Sequence, residues 1–64
     1  MKIVLNGELC EVQAMNLAEV LVERGLNSRV ATAVNEEFVP SVMRAGHQLR
    51  DGDRVEVLSP MQGG

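Results

Sequence analysis

The side chains with chemical potential are few in this chain, which has 64 residues, one cysteine and one histidine. A zinc site normally needs three or four Cys, His or carboxylate ligands, so thiols and imidazoles alone cannot build one here. Cys10 lies in a strand-like run that favours packing of the thiol, and His47 lies in an irregular stretch that favours a solvated loop position. Asp51 and Asp53 flank Gly52, where we expect turn carboxylates that accept hydrogen bonds from local backbone N–H groups.

A free-standing enzyme is not expected, because no glycine-rich phosphate loop precedes a helix and no Ser/His/Asp set is plausible at this length. The remaining reactive group is the α-carboxylate of Gly64, which follows Gly63 at the end of the sequence. Residues 59–64 could extend about 20 Å at up to ~3.6 Å per residue, far enough to enter another protein's active site. Glycines suit a narrow channel because they lack a Cβ and most backbone angles are open to them.

The terminal carboxylate could act as a carrier of sulfur. A carboxylate is a poor electrophile, but transfer of AMP from ATP gives it a good leaving group. A sulfur nucleophile can then displace AMP and leave a thioester or a terminal thiocarboxylate, which divides one difficult step into easier ones. In this hypothesis the chain is a co-substrate of partner enzymes. The activating partner uses ATP, and the chain itself binds no permanent cofactor.

The composition disfavours several other functions. The formal charge is −3 and the pI is about 4.9, whereas a protein that binds nucleic acid shows a basic excess. Phe38 is the only aromatic residue, which is too few for base stacking. The N-terminus has only a short apolar run, Ile3 to Leu5, which cannot serve as a signal peptide or a membrane span. We therefore expect a soluble cytoplasmic protein without nucleic-acid or membrane partners.

The elements that must position the tail are mostly strands. Asn6-Gly7 between two strand-like runs predicts a type I′ hairpin. Pro40 cannot donate to a ladder, so the segment before it is at most a short edge strand. Glu36-Glu37 is predicted to be a turn, and "SVMRAGHQL" to be irregular with one helical turn. The predicted strands cover residues 1–5, 8–14, 29–35 ("RVATAVN"), 38–40 ("FVP") and 54–59 ("RVEVLS").

One helix is predicted in "MNLAEVLVERGL". Asn16 is a favourable N-cap, and Glu19 stands three residues later, as a capping box requires. Gly25 is placed as the left-handed residue that ends the helix. The stripe at helical spacing that should face the core consists of Leu17, Val20 and Leu21.

The order of these elements predicts an α+β fold. The first and last strands are the most apolar, so we place them side by side in the centre of the sheet as a parallel pair. This arrangement is the β-grasp, a mixed four- to five-stranded sheet with one main helix packed on one face. We expect residues 1–59 to form this domain and residues 60–64 to form a flexible tail.

Four stretches of the sequence resemble a known family: "MKIVLNGE", "VATAVNEEFVP", "LRDGDRVEVL" and the terminal "QGG". Together they resemble the ThiS sulfur carrier proteins of thiamine biosynthesis, in the ThiS/MoaD group of ubiquitin-like β-grasp proteins, over essentially the whole chain. Members often carry Arg directly after "VP" and an aromatic residue two positions later. This chain has Ser41 and Met43 there, a departure that affects the loop and leaves the tail unchanged.

The resemblance implies a set of partners and site residues. A ThiF-type E1-like enzyme would adenylate Gly64, and a cysteine desulfurase or another sulfur donor would convert it to the thiocarboxylate. A ThiG-type thiazole synthase would then take the sulfur into the thiazole of thiamine. Gly63, Gln62 and Met61 would thread the tail into the partner's site.

The strand period adds a candidate docking surface, Val4 and Leu58 on the helix-free face of the sheet. Three alternatives remain open at this point. The chain could be a MoaD-like small subunit of molybdopterin synthase, or a ubiquitin-type modifier joined to lysines through Gly64. It could also be a small β-grasp interaction module with an inert tail.

Overall fold

The structure, a computed structural model, describes residues 1–27 and 29–59. Within these ranges, no helix is long and apolar enough to cross a membrane. The strands form one sheet in the order β2-β1-β5-β3-β4. The elements are β1 (Lys2–Leu5), β2 (Glu8–Glu11), α1 (Leu17–Glu23), β3 (Ala31–Val34), β4 (Glu37–Val39), a 3₁₀ turn (Ser41–Met43) and β5 (Arg54–Leu58).

The centre of the sheet is the parallel pair of β1 and β5, in which Val4 is opposite Arg54 and Leu5 is opposite Val55. The other pairings, β1 with β2, β3 with β4 and β3 with β5, are antiparallel. The predicted central parallel pair is therefore confirmed, and so is the mixed sheet with one helix. β4 lies at an edge, as the proline after it predicted.

The first hairpin turns at Asn6 and Gly7, whose φ angles of 50° and 84° are those of the predicted type I′ turn. β2 is shorter than predicted, because it ends at Glu11 and not at Ala14. The backbone N–H groups of Gln13 and Ala14 donate to the Glu23 carboxylate, at 3.0 and 2.8 Å, and so do not continue the ladder. A side chain at the end of the helix thus ends the strand.

The helix begins and ends as predicted. The Asn16 side chain accepts a hydrogen bond of 2.9 Å from the backbone N–H of Glu19, which satisfies one free donor of the first turn. Gly25 has φ 68°, and the N–H of Leu26 donates to the carbonyl of Leu21 at 2.8 Å. This closing bond belongs to a Schellman motif, which a left-handed glycine allows.

The core lies between α1 and one face of the sheet. The predicted helix stripe is buried there, and so is every second residue of β5, with Val55 at 0% exposure and Val57 at 8%. Leu58 and Glu56 therefore point to the opposite, helix-free face. The buried apolar residues are Ile3, Val12, Ala14, Leu17, Val20, Leu21, Val30, Val34, Val39, Leu49, Val55 and Val57.

The second hairpin differs by one residue from its prediction. The turn residues are Asn35 and Glu36, with φ angles of 51° and 73°, and Glu37 already belongs to β4. Both turn residues lie in the left-handed region, as in a type I′ turn, so the prediction of a Glu36-Glu37 turn was wrong. The 3₁₀ turn at Ser41–Met43 confirms the single helical turn expected there.

Candidate functional site

The predicted reactive end of the chain lies outside the described residues. Gly64, Gly63, Gln62 and Met61 all fall in residues 60–64. Their placement thus remains a prediction from the sequence. What the structure does describe is the strand that leads to them, which ends at Leu58, and the surface around that strand end.

The C-terminal end of β5 is held on both sides. On one side Leu58 is paired with Ala31 of β3. On the other side the N–H of Asn6 donates to the carbonyl of Val55 at 2.9 Å, the last backbone bond from the β1 side. The side chain of Asn6 then continues the pairing, because its Nδ2 donates to the Val57 carbonyl at 3.1 Å and its Oδ1 accepts from the Val57 N–H at 2.8 Å. Sequence analysis had assigned Asn6 only to the turn.

The two residues of the predicted docking surface both lie on the helix-free face, but the structure does not bring them together. Leu58 is 67% exposed, whereas Val4 is half-buried. Val4 is paired with Arg54, which is four residues before Leu58 on β5. At ~3.3 Å per residue this separates them by about 13 Å along the strand direction. Glu56 lies on the same face between Arg54 and Leu58, so the charged side chains of Arg54 and Glu56 separate the two apolar residues.

Phe38 is a candidate contact residue that sequence analysis missed. It is 69% exposed and is paired with Ala33, whose partner on β5 is Glu56. Residues directly opposite each other point to the same face, so Phe38 shares the helix-free face with Leu58. The signal in the sequence was the alternation of Phe38 with Val39, which is only 4% exposed.

Arg44 anchors the segment after β4 near the same end of the sheet. It is only 6% exposed, and its Nε donates to Thr32 Oγ1 at 3.0 Å. The Nη2 of Arg44 donates to the carbonyl of Val30, and Thr32 Oγ1 donates to the carbonyl of Val39 at 2.8 Å. Val30 and Thr32 flank the β3 residue that pairs with Leu58. A single arginine in an irregular stretch carries no periodic signal, so its burial could not be predicted.

The positions of Cys10 and His47 are explained by structural roles, without a chemical one. The Cys10 side chain is partly buried and packs against the core, as predicted. His47 is half-buried in its loop, and its backbone carbonyl accepts from the N–H of Leu17 at 3.1 Å. In the part of the chain that the structure describes, no group of three His, Cys, Asp or Glu side chains could hold a metal ion.

The two turn aspartates act differently from each other. Asp53 accepts from the backbone N–H of Arg50 at 2.8 Å, which is the local bond that was predicted. Asp51 instead accepts from the backbone N–H of Lys2 at 2.7 Å, so its role is to join the turn to β1. A cavity of about 290 Å³ is lined partly by Asp53 and Arg50. It lies at the beginning of β5, at the end away from Leu58.

Comparison with known proteins gives consistent matches over 94% or more of the chain. The sequence model of the ThiS family matches residues 3–64. A sulfur carrier protein ThiS from Thermus thermophilus is 44% identical over 61 residues, which cover 94% of this chain and 95% of the relative. The crystal structure of the thiamine biosynthesis protein ThiS from Geobacter metallireducens superposes with a TM-score of 0.85 at 28% identity, covering 100% of both chains. A solution structure of a thiamine biosynthesis protein from the same organism gives 0.80, at 28% identity, over 100% of this chain and 88% of that one.

Proposed function

This chain belongs to the ThiS family, and from that membership we propose how it carries sulfur. Its role is that of a sulfur carrier in thiamine biosynthesis. The observation that carries this conclusion is the match to a sulfur carrier over 94% of this chain and 95% of the relative. The match favours the thiamine pathway over the three alternatives, a molybdopterin synthase subunit, a protein modifier and an interaction module with an inert tail.

The reactive group in this proposal is the α-carboxylate of Gly64. A carboxylate oxygen attacks the α-phosphorus of ATP, pyrophosphate leaves, and an acyl-adenylate forms. A sulfur nucleophile then attacks the carbonyl carbon and AMP leaves; with hydrosulfide the product is the thiocarboxylate and one proton is released. The family match supports this assignment, because it extends through Gly63 to Gly64.

A carrier of this kind requires enzymes that load and unload it. We assign the activating step to a ThiF-type E1-like enzyme that supplies ATP, and the sulfur to a cysteine desulfurase or another donor. A ThiG-type thiazole synthase receives the sulfur. The carrier is a co-substrate of these enzymes and needs no cofactor of its own. Gly63, Gln62 and Met61 provide the segment that reaches into each partner's active site.

The described part of the chain supports a carrier role, in which the partner enzymes supply the catalytic groups. The turn side chains with long-range hydrogen bonds, such as Asp51 and Asn6, join elements of the fold to one another. β5, which leads to Ser59, is the middle strand of the sheet and pairs with β1 on one side and β3 on the other. A small folded domain whose central strand ends at Leu58, shortly before the segment assigned to the partner's active site, suits a carrier.

A docking surface next to this strand end completes the proposal. Leu58 and Phe38 are 67% and 69% exposed on the helix-free face, and the small side chains of Ala31 and Ala33 lie on the strand between them. Phe38 lies two strands and two residues away from Leu58, and exposed apolar side chains on one face are typical of interaction sites. Val4 remains part of the proposed surface, at a greater distance from the tail.

Intact-mass measurement tests the proposal directly. The chain is incubated with ATP, a ThiF-type enzyme and a sulfide source, and we expect a gain of about 16 Da as sulfur replaces a terminal oxygen. Two controls accompany it: omission of ATP, and a shortened chain that ends at Gly63. Both should leave the mass of the added protein unchanged. An unchanged full chain, in an assay that loads a known ThiS carrier, would overturn the proposed chemistry at Gly64.

A further inference from the structure

We propose that Asn6 is a positioning residue for sulfur transfer, because its side-chain amide holds the end of β5 and thereby sets the direction in which the chain continues from Ser59. The inference rests on the proposed function of Gly64 as the group that partner enzymes activate. It assigns Asn6 no contact with substrate, and its effect reaches the reacting carboxylate only through β5.

The amide of Asn6 takes the place of a strand residue. The chain turns away from β5 at Asn6-Gly7, after the backbone N–H of Asn6 has bonded to the Val55 carbonyl at 2.9 Å. Val57, the next residue of β5 that faces this side, then has no β1 backbone opposite it. The Asn6 side chain supplies both partners that it needs, a donor at 3.1 Å to the carbonyl and an acceptor at 2.8 Å for the N–H. A primary amide is suited to this because it carries a donor and an acceptor side by side.

This contact extends the hydrogen bonding on the β1 side of β5 as far as Val57. Leu58, the last residue of the strand, is paired with Ala31 of β3 on its other side. With the Asn6 amide in place, the two neighbouring residues Val57 and Leu58 are held from opposite sides. Without it, the last two residues of β5 would be held by β3 alone and could pivot about that edge. A pivot here changes the orientation of Leu58 and Ser59, from which the chain continues.

Asn35 provides a matched control within the same chain. It lies in the second hairpin turn with φ 51°, against φ 50° for Asn6. Its side chain also bonds the backbone of β5, because Asn35 Oδ1 accepts from the N–H of Arg54 at 3.0 Å. Arg54 begins β5, whereas Val57 lies near its end. The two asparagines thus have nearly equal φ angles and bond the backbone at opposite ends of one strand, Asn6 with two bonds to Val57 and Asn35 with one bond to Arg54.

The experiment compares Asn6→Gly with Asn35→Gly. Glycine adopts positive φ without strain, so each variant removes the side-chain contacts and keeps the turn. A first readout needs no enzyme: amide residual dipolar couplings and relaxation of Leu58 and Ser59, measured by NMR. We expect both residues to reorient and become more mobile in Asn6→Gly and to remain unchanged in Asn35→Gly.

The second readout is adenylation by a ThiF-type enzyme. We expect Asn6→Gly to lower kcat by roughly tenfold with little change in KM, because a strand end that is no longer fixed places the carboxylate in the reactive position less often after the domain has docked. Asn35→Gly should leave both constants near the wild-type values. Asn6→Asp retains the acceptor for the Val57 N–H but sets a carboxylate oxygen against the Val57 carbonyl, so its kcat should also fall below that of wild type. It also serves as the test variant if Asn6→Gly does not fold.

The outcomes separate this inference from the proposed function. Unchanged couplings in Asn6→Gly, or equal losses of kcat in Asn6→Gly and Asn35→Gly, overturn the positioning role of Asn6. A wild-type chain that is never adenylated overturns the proposed function itself. If the wild-type chain is adenylated and Asn6→Gly is adenylated equally well, only the inference is overturned.

Discussion

The Nδ2 of Asn35 donates a hydrogen bond of 3.0 Å to Oδ1 of Asp53, which joins the turn after β3 to the turn before β5. The other carboxylate oxygen of Asp53 accepts from the N–H of Arg50 at 2.8 Å. Both residues belong to the stretches of sequence that resemble the ThiS family. In the structure both residues lie where two turns meet, so these parts of the motifs have a structural role at this end of the sheet.

The first prediction concerns this junction. We expect Asp53→Asn to lower the free energy of unfolding by about 1–2 kcal/mol, because one acceptor becomes an NH₂ group that faces donors. Chemical denaturation with urea measures the loss. Glu56→Gln is the matched control, since it removes the same charge from an exposed site on β5 and should change stability by less than about 0.5 kcal/mol. Equal losses in the two variants would show that charge, and not the hydrogen bonds, is responsible.

The second prediction is a stabilising substitution at Glu36. This residue has φ 73° at the turn position that Gly7 holds in the first hairpin. We expect Glu36→Gly to raise the free energy of unfolding by about 0.5–1 kcal/mol, because the left-handed conformation costs a non-glycine residue about 1–2 kcal/mol. Glycine's greater chain entropy and the loss of the exposed Glu36–Arg54 ion pair, at 3.9 Å, offset only part of that gain.

Thermal unfolding followed by circular dichroism measures this gain. Gly7→Ala is the converse control and should lose about 1 kcal/mol. No atom lies within 4 Å of a Cβ added at Gly7, so its loss would come from the backbone conformation alone. A lower melting temperature for Glu36→Gly would contradict the prediction.

The third prediction concerns the buried arginine. Arg44→Met keeps a long apolar stem and removes the charged donor to Thr32 Oγ1 and the Val30 carbonyl. We expect a loss on the order of 2–3 kcal/mol, because buried acceptors are left without a charged donor. Arg50→Met, at an exposed site, should change stability by less than about 0.5 kcal/mol. Urea denaturation of both variants decides it, and similar small losses would show that the Arg44 contacts contribute little.

The fourth prediction tests the terminal carboxylate. Adding one alanine after Gly64 should abolish formation of the acyl-adenylate and the thiocarboxylate, because the reactive group is displaced by one residue from the partner's catalytic atoms. The fold should be unchanged, since the buried core residues of the described chain all lie between Ile3 and Val57. Intact mass reports the chemistry and the NMR spectrum of the domain reports the fold. Sulfur loading of the extended chain would rule out a strict requirement for Gly64 at the end.

The fifth prediction concerns the docking surface. We expect Leu58→Asp to lower kcat/KM for adenylation by roughly tenfold, because a central apolar contact is replaced by a charge that must be desolvated. Val4→Asp should have a smaller effect, since Val4 lies farther from the strand end, and the double variant should be the weakest. Val22→Asp is the matched control: Val22 is 81% exposed on α1, away from this face. An equal loss in Val22→Asp would mean that the effect is not specific to the sheet face.

Much of the fold could be predicted because its signals are local. Asn6-Gly7 predicted the first turn, Asn16 and Gly25 the two ends of the helix, and the alternation in β5 its buried and exposed faces. The second turn was placed one residue late because Glu36 has no intrinsic preference for positive φ. β2 was predicted too long because the bonds that end it come from Glu23, on the helix.

By itself, the sequence determined the class of fold and the family resemblance, and it led to the proposal that the terminal carboxylate is the reactive group, because these depend on residue types and short spacings. Tertiary structure alone decided which distant residues meet. The bond from Asn6 to Val57 joins residues 51 positions apart, and the separation of Val4 from Leu58 follows from the register between β1 and β5. Such relations depend on how whole strands pair, and no local pattern encodes the register of two strands that lie at opposite ends of a chain.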